Sequence, residues 1–139
     1  MEEKYSAALV HYKDALSLSL NPPNLAMCEL NYGITLSLLD RHNAALLHIY
    51  KAAYLYVELG DEGSCNLCNM YAAKSNMHLG RYEEALRGYK LYLTNESLLP
   101  LTERQKKYYN HMINEIEVKK HFKNIEDDGD LYIIGNEGY

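Results

Sequence analysis

The sequence has no tryptophan, one phenylalanine and only three prolines among its 139 residues. No apolar stretch approaches the roughly 20 residues that a membrane-spanning helix requires. The first residues offer neither the basic start nor the apolar core of a secretory signal. Three cysteines, an odd number, do not make a disulfide framework. These absences lead us to expect a reduced, cytoplasmic protein that does not enter a membrane.

Positive charge is also scarce, because 14 Lys and Arg residues face 19 Asp and Glu residues and leave a net charge of -5. Sequence-independent binding of nucleic acids depends on Lys and Arg side chains that neutralise phosphates. We therefore expect no nucleic-acid partner. Tyrosine is abundant instead, with 14 residues, and the hydrophobic fraction of 47% suits one globular domain.

A short internal repeat organises the chain. Three segments that agree in size and polarity begin at Tyr5, His42 and Tyr82. Each segment opens a stripe of residues at helical steps of four and three, which place the stripe on one helical face. A period of roughly 40 residues indicates a unit of two helices. The stripes are Ala8, Tyr12 and Ala15; Ala45, Ile49 and Ala52; and Ala85, Tyr89 and Tyr92.

Turn and capping residues predict six helices with no strand between them. Pro22 and Pro23 are expected to end the first helix, and Asn24 to cap the second. Thr102 and Gln105 form a capping box at the start of the last helix. The five helices after the first are predicted at about 25–39, 43–58, 64–79, 82–95 and 102–124.

The segment from Leu79 to Leu86 (LGRYEEAL), followed by Tyr89, resembles the turn and second helix of the tetratricopeptide repeat (TPR) family. Tyr32-Gly33 stands where that family has a Leu-Gly pair, and Ala72-Ala73 is the matching small pair. The resemblance covers about residues 3–97. Its units of roughly 40 residues are similar to those of Pins-type scaffolds and bacterial sensor TPRs. Three residues depart from the family pattern: Glu29 and Asn69 replace a large aromatic residue, and Tyr92 replaces a small one.

The resemblance implies an all-α, TPR-like right-handed superhelix of antiparallel helix pairs, with about six helices. Residues 1–124 would form a helical domain of about 2.5 repeats plus a C-terminal capping helix. Residues 125–139 are expected to be an acidic, flexible tail, because residues 126–139 carry five acidic and no basic side chains. The implied function is a non-enzymatic scaffold that binds a protein or peptide partner.

In such an array the first helix of each pair lines the concave face, so the resemblance implies a groove for a partner peptide or helix there. Met and Tyr side chains adapt to a ligand at low entropic cost. About half of the groove residues are expected to be core instead, especially Leu30, Leu38 and Leu67. The predicted partner-binding residues are Met27, Asn31, Ile34, Leu67, Met70, Tyr71, Lys74 and His78.

Self-association is an alternative function. The first helix of the chain matches the second helix of a repeat unit, and the first helix of that unit is missing. The apolar face of the chain's first helix is therefore expected to be covered on one side only. Solenoid ends normally carry a polar capping face, so an uncapped end favours either a fragment of a longer array or a homo-oligomer. The predicted self-association residues are Tyr5, Leu9, Tyr12 and Leu16.

Other functions have weaker signals in the sequence. Cys65-x-x-Cys68 is the pattern of a thiol redox protein. The same motif does not form a zinc site by itself, because zinc would need a second ligand pair. The six histidines show no metal-ligand spacing, so we expect no metal and no cofactor. A type III secretion-type chaperone is similar in size, helix content and acidity. Some TPR proteins hold the C-terminal tail of a chaperone with a clamp of basic and asparagine side chains. This function is disfavoured here, because only Asn31 matches the residues of that clamp.

Overall fold

The computed structural model describes residues 2–95 and 100–128, and all regular structure in these ranges is helical. The prediction of six helices without strands is confirmed for these residues. The helices are α1 (Glu2–Leu16), α2 (Pro22–Leu38), α3 (His42–Leu59), α4 (Glu62–His78), α5 (Tyr82–Thr94) and α6 (Glu103–Asp128). Each helix packs against the next along the chain, and α2 also contacts α4. Within the described ranges, no helix combines the length and the hydropathy needed to cross a bilayer.

The proline pair begins α2 instead of ending α1, which already stops at Leu16. Proline fits the first helical turn because its missing N–H has no partner there in any case. The side chain of Asn21 caps α2 and accepts a hydrogen bond of 3.0 Å from the N–H of Asn24. The predicted Asn24 cap is therefore wrong by three residues.

The start of α6 confirms the predicted capping box. The N–H of Thr102 donates to Gln105 Oε1 over 2.9 Å, and the N–H of Gln105 donates to Thr102 Oγ1 over 3.1 Å. The helix continues to Asp128, four residues beyond its predicted end, and the half-buried Ile125 lies in this extension. Once a helix is nucleated, each further residue adds one backbone hydrogen bond. Residues 129–139 of the predicted tail lie outside the described residues.

The helix pairs α2–α3 and α4–α5 are two copies of one unit, in which α4 corresponds to α2 and α5 to α3. The turn inside each unit contains a residue with positive φ, 59° at Asp40 and 74° at Gly80. In both units the next N–H, an arginine's, donates over 2.9 Å to the carbonyl five residues earlier. The repeat seen in the sequence is therefore also a repeat of backbone geometry.

Close contact between the two helices of each unit depends on a glycine. A Cβ on Gly33 would lie 2.7 Å from Ile49 Cγ1. In the second unit Ala73 takes the position of Gly33, and the glycine lies on the partner helix: a Cβ on Gly88 would lie 2.8 Å from the Cβ of Ala73. The two units reach the same close approach with the glycine on opposite helices.

The predicted stripes form the centre of the core. Ala45, Ile49 and Ala52 are all 0% exposed and belong to a cluster built by α2, α3 and α4. A second cluster joins α4, α5 and α6, and Ile116 of α6 is fully buried in it. The last helix therefore covers the end of the second unit, as the sequence predicts for a capping helix.

The first helix has no fully buried residue. It packs on α2, where the thiol of Cys28 donates to the carbonyl of Tyr12 over 3.6 Å, and Leu9 reaches the first core cluster. The four predicted self-association residues are all half-buried in the single chain.

Candidate partner-binding surface

Seven of the eight predicted partner-binding residues lie on two equivalent stripes, one on α2 and one on α4. Steps of four, three and four residues keep each stripe on one helical face. The hydroxyl oxygens of Ser37 and Ser75 lie 3.1 Å apart and join the two helices near the ends of the stripes. The structure thus brings the C-terminal ends of the two stripes together. One repeat of the sequence separates the members of each equivalent pair, which are Met27 and Leu67, Asn31 and Tyr71, Ile34 and Lys74, and Leu38 and His78.

Exposure divides the predicted residues into two groups. Met27 is 53% exposed, and Lys74 and His78 are also exposed. Three others pack inward: Ile34 and Tyr71 contact the first core cluster, and Met70 contacts the second. The remaining two, Asn31 and Leu67, are half-buried. The surface open to a partner is therefore smaller than the predicted set.

The leucines of this face behave differently from one another. Leu30 is 7% exposed, which confirms its prediction as core. The same prediction for Leu38 is wrong, since it is 49% exposed. Leu38 is the last residue of α2, lies on the same stripe as the exposed Met27 and belongs to the open surface.

A cluster of tyrosines fills the space between α5 and α6. The ring centroids of Tyr92 and Tyr109 lie 5.2 Å apart, and those of Tyr89 and Tyr109 lie 5.9 Å apart. Burial, with a contribution from neighbouring tyrosines that include Tyr71, raises the pKa of Tyr109 to about 12. Tyr71, which packs against the first core cluster, thus also acts electrostatically on a tyrosine of α6 and is not simply a groove residue.

Two histidines stack at the end of the stripes. The His42 ring is 8% exposed and lies 4.6 Å from the His78 ring, with only 5° between their planes. His42 Nδ1 lies 3.2 Å from Ser75 Oγ, and His42 Nε2 lies 3.5 Å from Asp40 Oδ1. These residue types also form hydrolase triads, but Ser75 is 0% exposed and no substrate can reach it. The cluster holds the exposed imidazole of His78 against a buried, hydrogen-bonded support.

His78 lies in a positively charged environment. Burial and the charge of His42 lower the pKa of His78, the ammonium groups of Lys74 and Lys119 lower it further, and Asp40 opposes them. Lys74 and Lys119 are both exposed, and neither forms an ion pair with a described residue. No sequence pattern predicts a place for Lys119 at this surface, because its position beside α4 depends on how α6 packs.

Glu29, which stands where the TPR pattern has a large aromatic residue, has a half-buried partner in the structure. Glu29 is 9% exposed, and its Oε2 lies 2.6 Å from His48 Nδ1 on α3. The ring of Tyr32 packs edge-on against the His48 ring, with centroids 4.4 Å apart. In the second unit the equivalent positions hold Asn69 and Gly88, whose close backbone approach replaces this hydrogen bond.

The Cys-x-x-Cys pair lies in α4, where nothing activates the thiols. Cys68 is 1% exposed, and burial, followed by the nearby Cys65 and Asp61, raises its pKa to about 12. Burial and the charges of Asp61 and Glu62 also raise the pKa of Cys65. Thiol nucleophiles react as thiolates, which these environments disfavour. Within residues 2–95 and 100–128, no three His, Cys, Asp or Glu side chains are arranged to hold a metal ion.

No model of a known protein family, no curated protein and no solved structure matches this chain. A function can therefore be inferred only from the chain's own residues and their arrangement.

Proposed function

We propose that this protein is a non-enzymatic, TPR-like scaffold that holds a partner peptide or helix on the surface formed by α2 and α4. One observation carries the proposal: the α2–α3 pair is repeated as the α4–α5 pair, with equivalent turns and with equivalent stripes whose C-terminal ends meet. In a stacked array, the same side of each first helix contributes to one continuous surface. A partner can then contact both units at once.

The composition of the open surface supports binding. Met27 and Leu38 expose apolar side chains on α2, while Lys74 and His78 expose polar ends on α4. A contiguous apolar patch with a polar rim is typical of protein-binding surfaces, and in this proposal Met27 and Leu38 form the apolar part of such a patch. A catalytic function has less support, because Ser75 is sealed in the interior and the thiol of Cys68 is held protonated.

The test is capture of partners from a cell lysate on three immobilised proteins, with the bound proteins identified by mass spectrometry. The first is the native chain, and the second is the double variant Leu38→Gln, Lys74→Glu. The third is the control Leu91→Gln, Lys51→Glu, which makes the same changes at exposed positions of α5 and α3. Circular dichroism verifies that all three are folded.

The proposal predicts a partner that the native chain and the control both capture and that the α2–α4 variant loses. Equal capture by all three proteins would contradict it, because the binding surface would then lie elsewhere.

Self-association through α1 is the second candidate function, favoured by the absence of any fully buried residue in that helix. Tyr5, Leu9, Tyr12 and Leu16 would gain cover from a second copy of the chain. Light scattering across a concentration series tests this function, since it predicts a mass that rises with concentration. A mass equal to that of one 16.0 kDa chain at every concentration would exclude it.

A further inference from the structure

Three basic side chains from two helices meet at one end of the α2–α4 surface. Lys74 and His78 come from α4, and Lys119 comes from α6. Lys119 lies one helical turn before Lys123, which donates to the carbonyl of Gly80 just beyond the end of α4. The packing of α6 therefore brings Lys119 towards the end of α4 that carries His78, and both ammonium groups act on this imidazole. The stack on the buried His42 ring fixes the position of the imidazole.

We propose that Lys74, His78 and Lys119 recognise an acidic segment of the partner, whose Asp or Glu carboxylates lie against this site while an aliphatic side chain contacts Leu38. This inference rests on the proposed function and specifies the partner's chemistry for the same surface. A contribution from α6 makes the capping helix part of the binding surface.

Charge complementarity selects an acidic occupant. Three other lysines of α5 and α6 are already engaged within the chain. Lys90 pairs with Glu117 at 3.2 Å, Lys120 pairs with Glu83 at 3.4 Å, and Lys123 donates to the carbonyl of Gly80 at 3.1 Å. Lys74 and Lys119 have no ion-pair partner among the described residues. Lys51 and Lys107 share this property, but only Lys74 and Lys119 act together on the His78 imidazole. Three basic groups at this site outnumber Asp40, the one carboxylate that acts on His78, on a chain with a net charge of -5.

Protonation of His78 adds a third positive charge to the site. The groups that act on it are His42 from α3, Asp40 from the α2–α3 turn, Lys74 from α4 and Lys119 from α6. A bound carboxylate favours the protonated imidazole, so binding of an acidic peptide takes up protons. Affinity should therefore increase as the pH falls from 7.5 to 5.5.

The experiment measures fluorescence anisotropy of a labelled synthetic peptide in which glutamate alternates with leucine, added to the full chain at low salt. A peptide with glutamine in place of glutamate is the charge control. The variants are Lys74→Glu, Lys119→Glu and the control Lys51→Glu, an exposed lysine of α3 that has no ion pair with a described residue.

We expect the glutamate peptide to bind the native chain, and each of the two site variants to weaken binding by about tenfold. Lys51→Glu should change the affinity by less than about twofold, and the glutamine peptide should bind about tenfold more weakly. Added salt should also weaken binding because the contacts are exposed.

Four results would overturn the inference. The glutamate peptide could fail to bind at millimolar concentration, or both peptides could bind equally. All three variants could lose the same affinity, or binding could appear only after the acidic residues of 129–139 are neutralised. The last result would assign the site to this chain's own C-terminal segment. A partner that depends on Leu38 but is captured equally by Lys74→Glu and Lys119→Glu would leave the proposed function intact and remove only this inference.

Discussion

Substituting alanine for Gly33 tests the idea that a glycine sets the distance between α2 and α3. The new Cβ would lie 2.7 Å from Ile49 Cγ1 and 3.0 Å from the carbonyl oxygen of Ala45. Ile49 is fully buried, and a backbone oxygen cannot rotate away, so the helices themselves must separate. Overpacking of this kind costs about 1–3 kcal/mol, and the backbone contact places this site near the upper value.

Alanine is a better helix former than glycine by about 1 kcal/mol, which offsets part of this cost. The net expected loss of unfolding free energy is therefore about 2 kcal/mol, or a fall of roughly 6–10 °C in Tm for a chain of this size. Urea unfolding followed by circular dichroism measures the loss directly.

A double-mutant cycle separates the clash from other effects. In a background with Ile49→Ala, the side-chain clash is gone but the contact with the carbonyl oxygen of Ala45 remains. Gly33→Ala should then destabilise the protein less than it does in the native background, by about 1 kcal/mol or less. Equal destabilisation in both backgrounds, or a stabilising effect in the native chain, would refute the close-packing argument.

Three further predictions concern the polar groups of the fold. Glu29→Ala leaves the imidazole of His48 without its partner and should lower the unfolding free energy by about 2 kcal/mol in urea unfolding, whereas an unchanged midpoint would show that the pair contributes nothing. With Ellman's reagent at pH 7, Cys68 should react only on unfolding, because its pKa is about 12 and it is 1% exposed; fast reaction in the native state would contradict the burial. The folded state lowers the pKa of His78, so the unfolded chain binds more protons, and stability should be lost as the pH falls below about 6.5. His78→Gln should reduce the stability difference between pH 7.5 and pH 5.5, and an identical difference in both proteins would contradict this effect.

Much of the helical framework is predictable because it follows from local patterns. The stripe of Ala45, Ile49 and Ala52 predicts its own burial, since helical periodicity places these residues on one face. The capping box at Thr102 is also local. The cap of α2 is harder to predict, because Asn21 and Asn24 flank the proline pair and both are good capping residues.

The site is less predictable because its members come from distant parts of the chain. The stack of His42 on His78 depends on the turn geometry and on the packing of α4 against α3. Lys119 reaches the site only because α6 packs over the second unit. Gly88 has no signal in the sequence beyond being a glycine within a helix, although α5 needs it to approach Ala73.

The most direct test of partner binding on α2 and α4 is to map the binding surface by two-dimensional amide NMR of the labelled full chain, with and without its captured partner. Binding at this surface predicts that the largest shifts fall on the two stripes, around Met27 and Leu38 on α2 and around Lys74 and His78 on α4. Shifts confined to α1, or to the exposed face of α3 around Tyr50 and Tyr54, would contradict it.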